Sequence, residues 1–187
     1  NTKDKTDRKL SMLKWGFFSR EQTNPSSKNY LINLRAETLL ENHSLRKTFP
    51  NRRCLVLADG FYEWKKEYNK TQPYRIHFAN NNVFAFAGIL DEGSLTNFNQ
   101  RKQNKFVIIT TEALTSISHI HKRMPVILKR ENYASWLDDD PKLAFLALKS
   151  CAGFGLRSYK VSPMLGNTEH DSPDLLNKYS DTQLSLF

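Results

Sequence analysis

The sequence predicts an α+β fold in one domain. Short apolar runs rich in β-branched and aromatic residues recur along it, bounded by Asn, Gly and Pro, as strands are. Helical periodicity shows in only a few short stretches, which do not alternate regularly with the strands, so a parallel doubly wound sheet is excluded. No internal repeat and no linker divides the 187 residues, a length that suits one core.

In chain order, residues 1–11 are polar and are expected to form a flexible end. Trp15-Gly16-Phe17-Phe18 is a short apolar element, and residues 19–29, with Asn24-Pro25-Ser26-Ser27, read as a loop. A strand is predicted at 30–33 and a short helix at 36–42. Residues 47–53 lead back to a strand at 54–58, and 65–70 read as a charged, hairpin-like loop. Strands follow at 74–78, 83–89 and 106–110, with Asn80-Asn81-Asn82 turning the chain between the first two. Residues 92–105 form a polar loop, 130–137 one short helix, and 141–151 another with Pro141 in its first turn. A last strand is predicted at 156–161, and the polar end from 177 to 187 is expected to be poorly ordered.

At 39% hydrophobic and 12% aromatic, the chain has the material for a core, yet no apolar run approaches the about 18 residues of a membrane span. The opening Asn1-Thr2-Lys3-Asp4-Lys5 does not resemble a signal peptide. Cys54 lies in an apolar strand and reads as an inert buried thiol; Cys151 ends a helical pattern. Two such cysteines make neither a disulfide framework nor a zinc site, which fits a reducing compartment and predicts no metal and no other cofactor. The net charge of +9 is uneven: residues 1–53 hold 12 Lys/Arg against 5 Asp/Glu, and residues 54–187 hold 16 against 14. A basic first third points to a polyanionic partner, with nucleic acid the default; a solvated face with a basic tail is the plainer alternative.

Three polar clusters sit at strand ends. They are Asn33-Leu34-Arg35-Ala36-Glu37-Thr38, Gly60-Phe61-Tyr62-Glu63-Trp64 and Ile120-His121-Lys122-Arg123-Met124-Pro125, the last preceded by Ile108-Ile109-Thr110-Thr111. A carboxylate held between Tyr62 and Trp64 should be partly desolvated, which raises its pKa toward an acid–base range. Glu63 and His121 are then a candidate proton-transfer pair, and Arg35 and Arg123 candidate phosphate clamps. The adjacent Arg123 is expected to disfavour a charged His121. Each residue also has a structural reading: Glu63 as an edge-strand surface residue, His121 as a satisfied structural histidine.

Taken together, Trp15-Gly16, Asn33-x-Arg35-Ala36-Glu37-Thr38, Arg53-Cys54, Ala58-Asp59-Gly60-Phe61-Tyr62-Glu63-Trp64, Gln72-Pro73-Tyr74, Ala87-Gly88-Ile89, Ile109-Thr110-Thr111, His121-x-Arg123-Met124-Pro125, Val161-Ser162 and Gly166-Asn167 resemble the SRAP (SOS response-associated peptidase) family. The resemblance runs in order from about Trp15 to about Leu176. It implies a single SRAP-like domain with a mainly antiparallel or mixed, barrel-like sheet flanked by short helices. It implies a monomer that binds single-stranded DNA, in the cytoplasm of a bacterium or the nucleus of a eukaryote, without a membrane.

The implied chemistry is covalent shielding of abasic sites. An N-terminal cysteine, exposed by self-removal of the initiator Met, attacks the ring-opened sugar aldehyde with its α-amine and closes a thiazolidine with its thiol. By the same resemblance, Asn33 orients that cysteine and the sugar, Glu63 moves protons, His121 assists ring opening and reversal, and Thr110 lies near the pocket. Arg35 and Arg123 grip phosphates, and Trp15 belongs to the wall against the bases, to which Phe17 or Phe18 could contribute. The chain departs from the family pattern in two ways. No cysteine precedes Trp15, so the natural protein is expected to begin Met-Cys-Gly-Arg or similar ahead of Asn1. After Trp15-Gly16 the family carries Pro and a second Trp, where this chain has Phe17-Phe18-Ser19-Arg20. The alternative function is a non-covalent module for single-stranded DNA; a peptidase acting on other proteins is a weaker third, lacking a metal or nucleophile.

Overall fold

Ile108 and Ile109 are neighbours in sequence and serve two different cores. That split follows from the strand period of two and organises the molecule. The computed structural model describes residues 8–18, 30–41, 52–91, 105–149 and 155–180.

Both isoleucines lie on β9 (Lys105–Glu112), the hub of the largest sheet. Along one edge of β9 run two short parallel partners, β1 (Lys14–Trp15) and β4 (Asn33–Arg35). Along the other run antiparallel β8 (Phe84–Asp91) and β10 (Arg123–Pro125). β8 in turn pairs with β5 (Arg53–Ala58) and β11 (Ile127–Leu128). β8 and β9 pair where Gly88 meets Ile108 and then diverge, and the segment 123–128 fills the fork. Val126 ties it to both sides: its N–H donates to Ile109 O (2.8 Å) and its carbonyl accepts from Ala87 N (3.0 Å). Met124 and Val126 face opposite cores although two residues apart, so the alternation slips at Pro125.

A second sheet has β7 (Lys70–Phe78) at its centre between antiparallel β6 (Phe61–Glu67) and β12 (Leu156–Lys160). A two-residue pair joins β2 (Phe17–Phe18) to β3 (Tyr30–Leu31). One core (Phe61, Ile76, Phe86, Ile108, Met124 and neighbours) contains side chains from both larger sheets. The other contains Ile109, Ala87 and Val126 with helices α1 (Ala36–Glu41), α2 (Tyr133–Leu137) and α3 (Pro141–Lys149). Buried Arg53 ties α2 to β5: it donates to the Asp138 carbonyl and sits 6.0 Å from the Trp136 ring centroid, while Trp136 Nε1 donates to Cys54 O (2.9 Å).

The α+β class and the short flanking helices are as the sequence predicts, but the pairings among the described residues form open sheets, not a closed ring. Several boundaries move. The charged stretch 65–70 is a hairpin, as expected, but its loop is shorter: β6 and β7 continue through it, pairing Lys65 with Gln72 and Glu67 with Lys70, around a turn where Tyr68 has φ 51°. The Asn80–Asn82 turn does not close a hairpin, because β7 and β8 belong to different sheets. Residues 130–137 are a 3-10 turn (Arg130–Asn132) followed by α2, broken where Asn132 takes φ −95°, ψ 0°. Tyr179 N donates to Lys160 O (2.9 Å), so the end expected to be loose from 177 is tied to β12 at least to that residue. The predicted loop at 19–29, residues 92–104 of the loop predicted at 92–105 (Lys105 opens β9), Cys151, residues 1–7 and 181–187, and the side chains of Phe17 and Phe18 lie outside the described residues.

Candidate functional site

The chain crosses from the first sheet to the second at Asp59-Gly60, between β5 and β6. The crossing is tight at Gly60: a Cβ there would lie 3.0 Å from the Ile76 carbonyl oxygen and 3.2 Å from Arg75 Nε, so a side chain would make these neighbours give by a few tenths of an ångström. Beyond it the alternation of β6 decides what Glu63 meets. Phe61 faces the core, and two residues on, Glu63 takes the same face. Tyr62 and Trp64 face the other way: Tyr62 is paired in register with Arg75, and Trp64 is 43% exposed.

The neighbours in sequence are therefore not what desolvates Glu63, contrary to the expectation above. It sits at the rim of the core between the sheets. Burial raises its pKa above the ordinary carboxylate value, opposed by the charge of His121 and a hydrogen bond from the Trp64 backbone.

His121 comes to it from the first sheet. Buried Ile117 and Ile120 fix the turn ahead of it, with Ile120 N donating to Ile117 O (2.9 Å). Its Nδ1 is 3.3 Å from Glu63 Oε2, 2.9 Å from Arg123 O and 3.3 Å from Arg123 N. With Nδ1 so surrounded, Nε2 is the ring nitrogen left for a substrate. The structure thus brings together the Glu63 and His121 pair read from the sequence, 58 residues apart in the chain.

The Arg123 side chain is engaged with β9 and α1. Its guanidinium makes a two-point bridge to Glu37 (2.8 and 3.0 Å) and donates to Thr110 O (2.7 Å) and Thr110 Oγ1 (3.2 Å). The side chain facing the His121 ring is that of Glu63. Arg123 in turn holds the Glu37 carboxyl below its ordinary pKa, chiefly through that hydrogen bonding. Glu37 received no role from the sequence although it stands inside a quoted motif. Its partner lies 86 residues away, and only the fold brings them together.

Trp15, Asn33 and Arg35 line one edge of β9, opposite Phe106, Ile108 and Thr110. Their partners are alternate residues, so all three side chains share the face that carries Ile108, toward the second sheet. Asn33 and Arg35 are exposed. Trp15 is 47% exposed, with its Nε1 donating to Ile32 O (2.8 Å), which pins the indole by its edge. Phe17 and Phe18 continue the backbone from there as β2. Cys54 stands apart on β5, where burial pushes its thiol up to about 12. Among the described residues, no group of three or more His, Cys, Asp or Glu could hold a metal ion, and no helix is long and apolar enough to cross a membrane.

Comparison with known proteins gives concordant matches. The family profile described as SOS response associated peptidase (SRAP) matches residues 1–168. The chain is 34% identical over 183 residues to "Abasic site processing protein YoqW" of Bacillus subtilis strain 168, covering 94% of this chain and 80% of that protein. It is 29% identical over 203 residues to "Abasic site processing protein HMCES" of Rattus norvegicus, covering 92% of this chain but 58% of the rat protein. A crystal structure of a Bacteroides thetaiotaomicron protein superposes with a TM-score of 0.70 at 28% identity, over 80% of this chain and 66% of that one.

Proposed function

Because the chain belongs to the SOS response associated peptidase family, we propose that it binds single-stranded DNA and processes abasic sites by forming a covalent crosslink. The observation that carries this is the contact between Glu63 and His121, 3.3 Å apart across two sheets, with the carboxyl desolvated at the rim of a core. That is an acid–base pair facing the same side as Trp15, Asn33 and Arg35. The relatives named for abasic-site processing support the choice of substrate.

The electrophile is the aldehyde of a ring-opened deoxyribose. An α-amine, partly neutral near pH 7, adds to it and loses water to give a Schiff base; a neighbouring thiol then adds across the C=N bond and closes a thiazolidine. The nucleophile in this reading is the N-terminal cysteine that the family resemblance implies, freed by self-removal of the initiator Met. Cys54 does not serve, since its thiol is held protonated at neutral pH. Glu63, with its raised pKa, takes the proton from the attacking amine and returns one to the departing hydroxyl. His121 serves ring opening and reversal through Nε2. Asn33 orients the sugar, Thr110 borders the pocket, and Arg35 contacts a phosphate. Trp15 offers its indole to a base.

The test uses protein bearing its natural N-terminus, mixed with an oligonucleotide carrying one abasic site or none. A band that survives denaturation should form only with the abasic strand. Glu63→Gln should slow its formation by about 10²–10⁴-fold at unchanged DNA affinity. Adduct at the wild-type rate in Glu63→Gln removes Glu63 from the chemistry. Tight binding without any adduct makes the protein a non-covalent single-stranded DNA module.

A further inference from the structure

We infer that Gln183-Leu184-Ser185-Leu186-Phe187 is a docking peptide whose partner is the ring-shaped sliding clamp of a bacterial replication machinery. The contact itself stands on these residue types and on where the chain leaves the fold. Its use, bringing the site to lesions at stalled primer ends, rests on the abasic-site reading.

Residues 177–182, just ahead of this stretch, include one aromatic ring and no aliphatic side chain. Leu184, Leu186 and Phe187 then fall within five residues, none of them charged. Such a cluster behind a polar tether is too short to build a core; it is the pattern of an anchor that fills another protein's pockets. The residue types state what those pockets must be. Leu186 and Phe187 are adjacent and bulky, and call for one deep apolar pocket. Leu184 calls for apolar surface beside it. Gln183 brings an amide with two donor hydrogens and an acceptor oxygen, and calls for a polar end to the groove. Ser185 is small and lets the two backbones approach. A groove of this form, with an amide-binding end and a Leu-Phe pocket, is what a sliding clamp presents to the polymerases and repair proteins that it tethers to DNA.

The chain leaves the fold at a fixed point beside the site. Tyr159 Oη donates to Leu176 O (2.7 Å), Tyr179 N donates to Lys160 O (2.9 Å), and Lys178 Nζ lies 5.8 Å from the Tyr159 ring centroid. Both anchoring residues, Tyr159 and Lys160, belong to β12. Lys160 stands opposite Tyr74, and Tyr74 opposite Glu63, so Glu63 and Lys160 share one row across the second sheet. Two strand spacings, about 10 Å, separate them, and Tyr179 lies about one spacing further on. Gln183, four residues later, is at most about 14 Å beyond Tyr179. The peptide therefore begins within about 30 Å of the Glu63–His121 pair. A clamp seated on it, itself threaded on DNA, holds a strand of that same DNA near the site. Engaging DNA and clamp together raises the overall affinity by about 10²–10⁴-fold without any new contact to DNA.

The experiment titrates the full chain with the purified sliding clamp of Bacillus subtilis, the organism of the 34%-identical relative, by calorimetry and by co-elution on gel filtration, without DNA. Wild type should bind. The double variant Leu186→Ala/Phe187→Ala should bind about 30-fold more weakly or worse, as expected for a buried hot-spot pair, and Gln183→Ala should lose a smaller factor. Both variants should keep the wild-type melting temperature and the wild-type rate of adduct formation on a clamp-free abasic oligonucleotide. On a primed abasic strand loaded with the clamp, and with protein limiting, wild type should form adduct faster than the double variant. No complex between wild type and the clamp overturns the proposal, as does binding that survives in the double variant. A lower melting temperature in the double variant places Leu186 and Phe187 in the protein's own packing and overturns it too. Equal adduct rates on clamp-loaded DNA overturn the delivery role. Absence of any adduct on clamp-free abasic DNA fails the abasic-site reading, while the titration still decides the docking.

Discussion

Glu63 is stabilised poorly by the fold it serves. Burial is the largest influence on its carboxyl and raises its pKa; the His121 charge and the Trp64 backbone only oppose that. A carboxyl whose folded pKa exceeds its unfolded value, about 4.3, binds its proton more tightly in the native state. Stability therefore falls as pH rises through the window between those two values. The penalty is complete above the folded pKa and absent below the unfolded one. Glu63→Gln keeps the shape and removes the buried charge. It should melt at or above the wild-type temperature at pH 7, and the gap should close as the pH falls toward about 4. Thermal melts of both proteins across that range check it. A Gln variant clearly less stable at pH 7 would mean that the attraction of His121 outweighs burial, against the order of causes found here. The same residue should be slow in crosslinking and undiminished in stability, which is the trade-off expected of a residue kept for function.

At the scale of elements, the tightest demand falls on β5 and β8. Gly88 is buried opposite Cys54, and a Cβ there would lie 2.7 Å from Val56 Cγ2 and 2.8 Å from Cys54 Sγ. Both neighbours are held within the strand ladder, so Gly88→Ala should destabilise by about 1–3 kcal/mol, the usual range for overpacking a core. Urea unfolding measures it, and an unchanged midpoint would show that β5 yields more readily than its pairing implies. This pairing also marks how far the sequence could be read. Strand cores such as 54–58 and 74–78 were legible because an apolar run is a local signal. The extension of β6 and β7 through Lys65, Lys66 and Lys70 was not, since charged residues on an exposed hairpin look like a loop until their partners are known. The division into two sheets was equally hidden. Nothing local distinguishes the crossing at Asp59-Gly60, or the one at 79–83, from an ordinary hairpin turn. Glu63 and His121 could be named as candidates from their motifs. The inward face of Glu63 and the Glu37 bridge to Arg123 depend on register and on contacts 86 residues apart, which residue order alone does not encode.

For the whole molecule the governing quantity is charge. The chain carries +9, and the first 53 residues hold 12 basic against 5 acidic side chains. That portion supplies Trp15, Asn33 and Arg35, so the basic third and the exposed edge of the site coincide. A partner that neutralises this charge releases its own counterions, and log K for a single strand should fall linearly with log salt, by about 0.7 per phosphate contacted. Duplex has more charge but cannot offer unpaired bases to the indole of Trp15, and base stacking on an aromatic is worth about 1–3 kcal/mol per base. Single strands should therefore bind more tightly than duplex, most clearly at high salt, where the phosphate contribution fades and stacking remains. Arg35→Ala should lower the salt slope by about 0.7, the share of one phosphate, and weaken binding without regard to base sequence. Trp15→Ala should weaken single-strand binding and leave the slope unchanged. Fluorescence anisotropy titrations with single- and double-stranded oligonucleotides over a range of salt separate the two. Equal affinity for both forms at every salt concentration would reduce the basic surface to a solubilising one. A slope untouched by Arg35→Ala would move the phosphate contact to another part of the chain.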